Sequence, residues 1–169
     1  MTQVTLRPFT REEYHEFFRC YTPDPMMDPQ PYRYQQNHVD RNFDYDKTRR
    51  DWYPTFGIFA DNAIVGTLSL KRIDRAHRKC EVGLMMMNDA CKNHGYGTAA
   101  LILALEMAQN TYGVKSIWAD TMGSNMRMQH VLTKLGFQLM ERIEKVYDMP
   151  RGKEDRLIYC WEADESNPC

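Results

Sequence analysis

Between Thr55 and Tyr112 the chain changes its period once, and that change limits the fold more than any other feature of the text. Up to Met87 it reads as three successive strands, "TFGIFA", "AIVGTLSLKRI" and "KCEVGLMMM", joined by short polar connections that include the turn pair Asp61-Asn62. Leu101, Ala104, Leu105, Ala108 and Tyr112 then recur at helical spacing, and Gly113 stands where a left-handed C-terminal residue belongs. An antiparallel meander therefore feeds a helix that opens on Gly95 and Gly97. A helix that is apolar on most sides has to be laid against that sheet.

The flanks extend the pattern. "VTLRPF" alternates like a strand, and Thr10 followed by Glu13 is a capping-box signature for a helix beyond it. From Tyr21 to about Pro54 the text turns irregular, with Pro23, Pro25, Pro29 and Pro31 as breakers and a short polar helix expected around Asp46 to Trp52. After the long helix come a strand "VKSIWAD" and a helix with Met128, Val131, Leu132 and Leu135 on one face, closed by Gly136. Two strands, "GFQLMERI" and "RLIYCWE", finish the chain, and the second could pair across a homodimer. The expected fold class is α+β, with a mixed, mostly antiparallel central sheet flanked by helices, in a single domain over residues 1–169.

Charge and composition exclude some partners. Twenty-two basic against 23 acidic side chains leave a net charge of -1, without the basic footprint that nucleic-acid binding demands. The opening "MTQVTLRPFT" carries no basic run followed by an apolar stretch, and the longest apolar run, Ala99 to Leu105, is too short to span a membrane. The expectation is a cytoplasmic protein with no nucleic-acid and no membrane partner. Cys20, Cys80, Cys91, Cys160 and Cys169 are scattered, without a CxxC pair, and read as reduced thiols and not as a metal site.

What the glycine loop holds can be argued physically. Glycines ahead of a helix let the backbone approach a ligand, and the first-turn N–H groups point outward at the positive end of the helix dipole. Such a loop suits a phosphate or pyrophosphate, with Lys92 upstream as an added point charge. Three readings stand side by side. The glycines can serve only a tight loop, or "GYGTAA" can be a loose dinucleotide fingerprint with Asp120 as its ribose acid, or the ligand is another phosphate carrier. Against the dinucleotide reading, "NDACKNH" separates strand from glycine, and the strands upstream look like hairpins.

"MMMNDACKNHGYGTAA" followed by "GSNMRMQHVLTKLGF" resembles the cofactor motif and next helix of the GNAT superfamily of N-acetyltransferases, whose signature is Q/R-x-x-G-x-G/A. The overall flavour resembles the branch that acetylates ribosomal-protein N-termini, together with its small-molecule relatives. The resemblance implies a GNAT-like fold, acetyl-coenzyme A (acetyl-CoA) as cofactor, and an amine acceptor, either a small molecule or a protein N-terminus. Lys92, Gly95 and Gly97 fall on signature positions, with lysine replacing the forked donor of Gln or Arg. By the same resemblance the backbones of Met85 and Met87 pair with pantetheine amides, and an N–H near Met86 or Met87 polarises the thioester carbonyl. Lys92, Asn93 and the amides of His94, Gly95, Tyr96, Gly97 and Thr98 hold the pyrophosphate, and Asn125 meets the pantetheine arm.

An amine has a pKa of about 10 and must lose a proton before it attacks a carbonyl. Glu81 stands in the "A-E-I-G"-like position that supplies the base in several enzymes of the superfamily, and alternation places it on one face with Gly83 and Met85. The glycine would leave room there for substrate or water. Where relatives often carry a tyrosine acid this chain has Leu132, so the departing thiolate would leave unaided or with help from Ser124, Tyr147 or water. The expected mechanism is direct transfer in a ternary complex, with Cys91 as the thiol that an acyl-enzyme would use. Between Cys20 and Asp46, Asp24, Asp28, Asp40, Asp44 and Asp46 alternate with Tyr21, Tyr32, Tyr34, Phe43 and Tyr45, a composition suited to a cationic acceptor. The alternatives are a noncatalytic acyl-CoA-binding module on the same fold and a dinucleotide-binding oxidoreductase.

Overall fold

In the computed structural model, which describes residues 2–163, the Thr10 hydroxyl accepts the Glu13 N–H at 3.2 Å while the Glu13 carboxylate takes the Thr10 N–H at 2.9 Å. This reciprocal cap starts α1 (Arg11–Cys20), directly after the strand β1 (Val4–Arg7). The meander follows as β2 (Thr55–Ala60), β3 (Ala63–Asp74) and β4 (Lys79–Met86). The helix that opens on the glycines is α3 (Tyr96–Tyr112), with α2 (Gln36–Thr48) lying earlier in the chain. Then come β5 (Ser116–Met122), α4 (Met126–Lys134), β6 (Gln138–Met149) and β7 (Gly152–Glu162).

All seven strands form one sheet in the order β1-β2-β3-β4-β5-β7-β6, and only β4 and β5 run parallel. The mixed, mostly antiparallel sheet expected from the sequence is the one observed. Side-chain alternation sorts its residues onto two faces. Ile58, Val82, Ala100, Leu101, Ala104 and Ala108 share one core, so α3 covers that face. Phe17 of α1 and Val39 and Phe43 of α2 share the other core with Phe59 and Ile64, and Met85 packs against them. Leu84 and Met86 pack on the α3 side, so β4 presents alternate residues to two different environments.

Three expectations need correction. The insert carries a long helix at Gln36–Thr48 and not a short one around Asp46 to Trp52, because Pro23, Pro25, Pro29 and Pro31 all precede Gln36, and Val39 and Phe43, four apart, face the core. The strand expected as "GFQLMERI" runs on to Met149, since β6 is an edge strand whose exposed residues show no alternation to mark its end. Finally, β7 is paired on both sides, by β5 and β6, so it offers no free edge to a second copy. Cys20, Cys80, Cys91 and Cys160 are free thiols, and Cys169 lies outside the described residues.

The first helix also carries a pH signature. Two bonds from Arg7, at 2.9 and 2.6 Å, hold the Glu13 carboxyl down at about 2. A depressed carboxyl stabilises the fold above its unfolded pKa of about 4.3, and that contribution disappears as pH falls towards the folded value. Glu13→Gln is therefore predicted to lower the melting temperature at pH 7. The gap between variant and parent should shrink as the pH of the melts is taken down through the range from about 4 to 2.

Candidate active site

β4 and β5 pair at Lys79–Ser116, Cys80–Ile117 and Glu81–Trp118, and there the ladder stops, although β4 continues to Met86 and β5 to Met122. Met87 donates its N–H to the Val65 carbonyl at 2.9 Å, towards β3. Along an antiparallel ladder successive residues turn their polar groups to opposite edges, so Leu84 and Met86 turn theirs away from β3 into the gap. A cleft of about 690 Å³ opens at this place, walled by both strands, the loop before α3 and the first turn of α4.

The loop before α3 is built from left-handed residues. Asn93 has φ of 64°, and Gly95, the residue that caps α3, has φ of 79° with nothing within 4 Å of where a Cβ would stand. The Ala99 N–H is bonded to the Gly95 carbonyl at 3.0 Å, so the N–H groups of Tyr96, Gly97 and Thr98 precede the helical ladder and have no partner within it. They stand at the positive end of a 17-residue helix. Gly97 serves close approach, since a methyl there would lie 3.1 Å from Leu84 Cδ2. The loop thus combines free donors, a positive dipole end and open space, which is what an anion needs.

Most of the expected cofactor residues meet in this cleft. Met85, Met86, Lys92, Asn93, Gly95, Tyr96, Gly97, Thr98 and Asn125 all line it. Four details depart from expectation. Met87 is off the wall, with its N–H on Val65 and its carbonyl taken by the Thr22 N–H at 2.9 Å, so the outward backbone groups belong to Leu84 and Met86 and not to Met85 and Met87. Lys92 is 12% exposed, with Nζ 2.7 Å from Asp24 and 2.5 Å from Asp89, so it clamps the segment after α1 to the glycine loop and is no free point charge. His94, expected to contribute only its backbone amide, is off the wall, its ring stacked on Tyr96 with Nε2 3.1 Å from the Ala90 carbonyl. Asn125 caps α4 through the Met128 N–H at 3.2 Å and turns its amide nitrogen to Met27 Sδ at 3.3 Å.

Glu81 is not on the cleft wall. Arg72, in a left-handed conformation where the β3–β4 register shifts, binds its carboxylate. The room expected over Gly83 is filled by Lys71, whose Cε lies 2.5 Å from where a Cβ would be. The carboxylate that does line the cleft on this part of the sheet is Asp120, held by Arg156 at 2.8 Å and approached by the Tyr147 hydroxyl at 3.5 Å. Ser124 and Tyr147 stay off the wall. Of the acid and aromatic side chains between Cys20 and Asp46, only Tyr21, Asp24 and Asp28 reach the cleft. Asp40 and Asp44 bind Arg11, and Asp46 binds Arg49 and accepts the Tyr14 hydroxyl, so most of that composition holds α1 to α2 and faces no ligand.

Two wall residues escaped sequence reasoning. Arg127, exposed on the first turn of α4, has no hydrogen-bonded partner among the described residues. Thr121 is 4% exposed, and its hydroxyl, buried in the wall, has no partner either. Nothing in "ADTMGSNMRM" distinguishes either residue from its neighbours, because both depend on where β5 and α4 end. Cys91 also lines the cleft, with its thiol pushed up by burial.

The sequence profile of the acetyltransferase (GNAT) domain matches residues 3–138. No curated protein matches by sequence. Among solved structures the chain is similar to a probable acetyltransferase, with 15% identity, 96% of this chain and 97% of that one covered, and a TM-score of 0.82. It is also similar to RimL, a ribosomal L7/L12 alpha-N-protein acetyltransferase, with 14% identity, 97% and 96% covered, and a TM-score of 0.81. A spermidine N-acetyltransferase from Vibrio cholerae aligns at 15% identity over 95% of each chain with a TM-score of 0.82. At such identities the likeness is one of fold.

The free donors at the cleft order the expected losses. Arg127→Ala should weaken coenzyme A binding about tenfold, the worth of one charge-assisted hydrogen bond, whereas His94→Ala should leave it within about twofold. Isothermal titration with coenzyme A reads both.

Proposed function

The chain belongs to the acetyltransferase (GNAT) family and is an acetyl-CoA-dependent N-acetyltransferase, and we propose how its cleft divides the work between the two faces of the sheet. The observation that carries this reading is the edge of β4 left unpaired beyond Glu81, facing the open N-terminus of α3. An extended chain with amides can complete that edge as a strand would, and a pyrophosphate suits the Tyr96, Gly97 and Thr98 amides. The orphan hydroxyl of Thr121, on the α3 side with Ile117 and Ala119, is a further group that fits such a guest. When bound, acetyl-CoA supplies the thioester whose acetyl group the amine takes as the thiolate departs.

The Met86 N–H, held by β4 and aimed into the gap, is the donor we assign to the acetyl carbonyl oxygen. Thr121 donates to the sulfur side, in place of the tyrosine that Leu132 replaces. The acceptor enters from the other face, past Tyr21, Asp28 and Lys71. Two of the structural neighbours are enzymes of amines, one a ribosomal L7/L12 alpha-N-protein acetyltransferase and one a spermidine N-acetyltransferase seen with coenzyme A and spermine, which supports an amine acceptor. To Asp120 we assign the proton of the incoming ammonium: it lines the cleft, as Glu81 does not, and Arg156 and Tyr147 approach only its Oδ2, which leaves Oδ1 without a partner among the described residues and able to accept. Burial keeps the Cys91 thiol protonated, which favours direct attack by the amine over an acyl-enzyme.

Four variants separate these roles. Asp120→Asn should lower kcat with an accepted amine by about a hundredfold, the usual worth of a general base, and Glu81→Gln by less than about fivefold. The reverse order would return the base to Glu81. Thr121→Val should lower kcat by about tenfold without weakening coenzyme A binding by more than about twofold, the size of one hydrogen bond. Cys91→Ser should turn over normally, and mass spectrometry of the enzyme mixed with acetyl-CoA should detect no protein adduct.

A further inference from the structure

Lys71 faces Glu81 directly across the β3–β4 ladder, yet the two do not pair. The next residue, Arg72, takes Glu81 because the left-handed turn at Arg72 swings its guanidinium onto the carboxylate. Lys71 instead lies along β4, its Nζ 2.7 Å and its Cε 2.5 Å from the place a Gly83 Cβ would occupy. The missing side chain of Gly83 is the space the lysine stem uses.

The Lys71 ammonium lines the cleft with no hydrogen-bond or ion-pair partner among the described residues. No carboxylate on that wall pairs with Lys71: Asp24 binds Lys92, Asp120 binds Arg156, and Asp28 accepts the Gln30 N–H at 3.0 Å. Ser69 and Thr67, on the same face of β3, are turned to Thr55 and to the Phe56 carbonyl and bring no charge. An acceptor that closes over this lysine strips water from a cation, at a cost that a negative group on the acceptor would offset.

Resting on the acceptor face assigned above, we infer that Lys71 is a specificity-determining residue that receives a carboxylate carried by the acceptor amine. The spacing adds a second condition. Lys71 sits over Gly83, and the donor assigned to the acetyl oxygen is Met86, three residues further along an extended strand, or about 10 Å. One carbon between amine and carboxylate, as in an α-amino acid, cannot bridge that distance. A chain of several methylenes can, so the acceptor class is an ω-amino carboxylate or a lysine-like side-chain amine with a distant carboxylate.

The test compares 6-aminohexanoate with hexylamine, which differ in the carboxylate, and with glycine, which places it too close. With acetyl-CoA and wild-type protein, kcat/KM for 6-aminohexanoate should exceed that for each of the others by about tenfold or more, the value of a charge-assisted contact. Lys71→Met should bring the ratio to hexylamine near one while leaving coenzyme A affinity unchanged, and Lys71→Arg should keep the preference. Gly83→Ala, which displaces the lysine stem, should erode it as the methionine does. Equal or better use of hexylamine by the wild type, or a ratio that survives Lys71→Met, overturns the inference and leaves the acetyltransferase intact. Silence with all three amines in protein that binds coenzyme A overturns it as well. Failure to bind coenzyme A would overturn the reading of the cleft beneath it.

Discussion

Backbone pairing that ends too early is the constraint on which the rest of this structure depends. Among the described residues β4 and β5 are the only parallel neighbours, and their ladder closes at Glu81–Trp118 with both strands still running. A sheet interrupted in its middle leaves donors and acceptors that water or a ligand must satisfy. The long helix between the two strands is where a parallel crossover places it, and its N-terminus returns to the mouth of the interruption. One topological fact therefore sets an unpaired edge beside a dipole end. Gly97 completes the arrangement by letting α3 approach Leu84.

Ion pairs then decide which charges remain available inside the cleft. Arg72 withdraws Glu81, Arg156 holds Asp120 in place, and Asp24 and Asp89 consume Lys92. The Lys92 clamp also ties the residues after α1 to the glycine loop, so one lysine organises a wall in place of binding the anion itself. Among the described residues the cleft cations without a hydrogen-bond or ion-pair partner are Arg127 on the cofactor side and Lys71 on the acceptor side. Each face of the cleft thus keeps one unspent cation. A count of acidic and aromatic residues in the insert pointed instead to a cation-binding pocket, but those side chains are mostly spent joining α1 to α2.

The parts legible in the sequence are those fixed by local geometry. Gly95 and Gly97 could be read because a left-handed cap and a close strand contact each demand glycine, and Thr10 with Glu13 because the cap is written in four residues. The position of each strand along the chain was legible from alternation wherever one face is buried. It failed at β6, which is exposed along most of its length, and in the insert, where the prolines drew attention from the Val39 and Phe43 spacing of α2. The site's charges were illegible for a different reason. Lys92 meets a carboxylate 68 residues away, and Glu81 meets a guanidinium only because the backbone turns left-handed at Arg72. Thr121 became notable only once its hydroxyl proved to have no partner.

The central claim is that acetyl-CoA completes the open edge of β4 and caps α3. Backbone amide hydrogen exchange, measured residue by residue with and without acetyl-CoA, tests it most directly. The account predicts that the amides of Leu84, Met86, Tyr96, Gly97 and Thr98 slow together on binding, while that of Met87, already bonded to Val65, changes little. Protection that appears at Met87 or elsewhere on the sheet, and leaves Leu84 and Met86 exchanging as before, would contradict it.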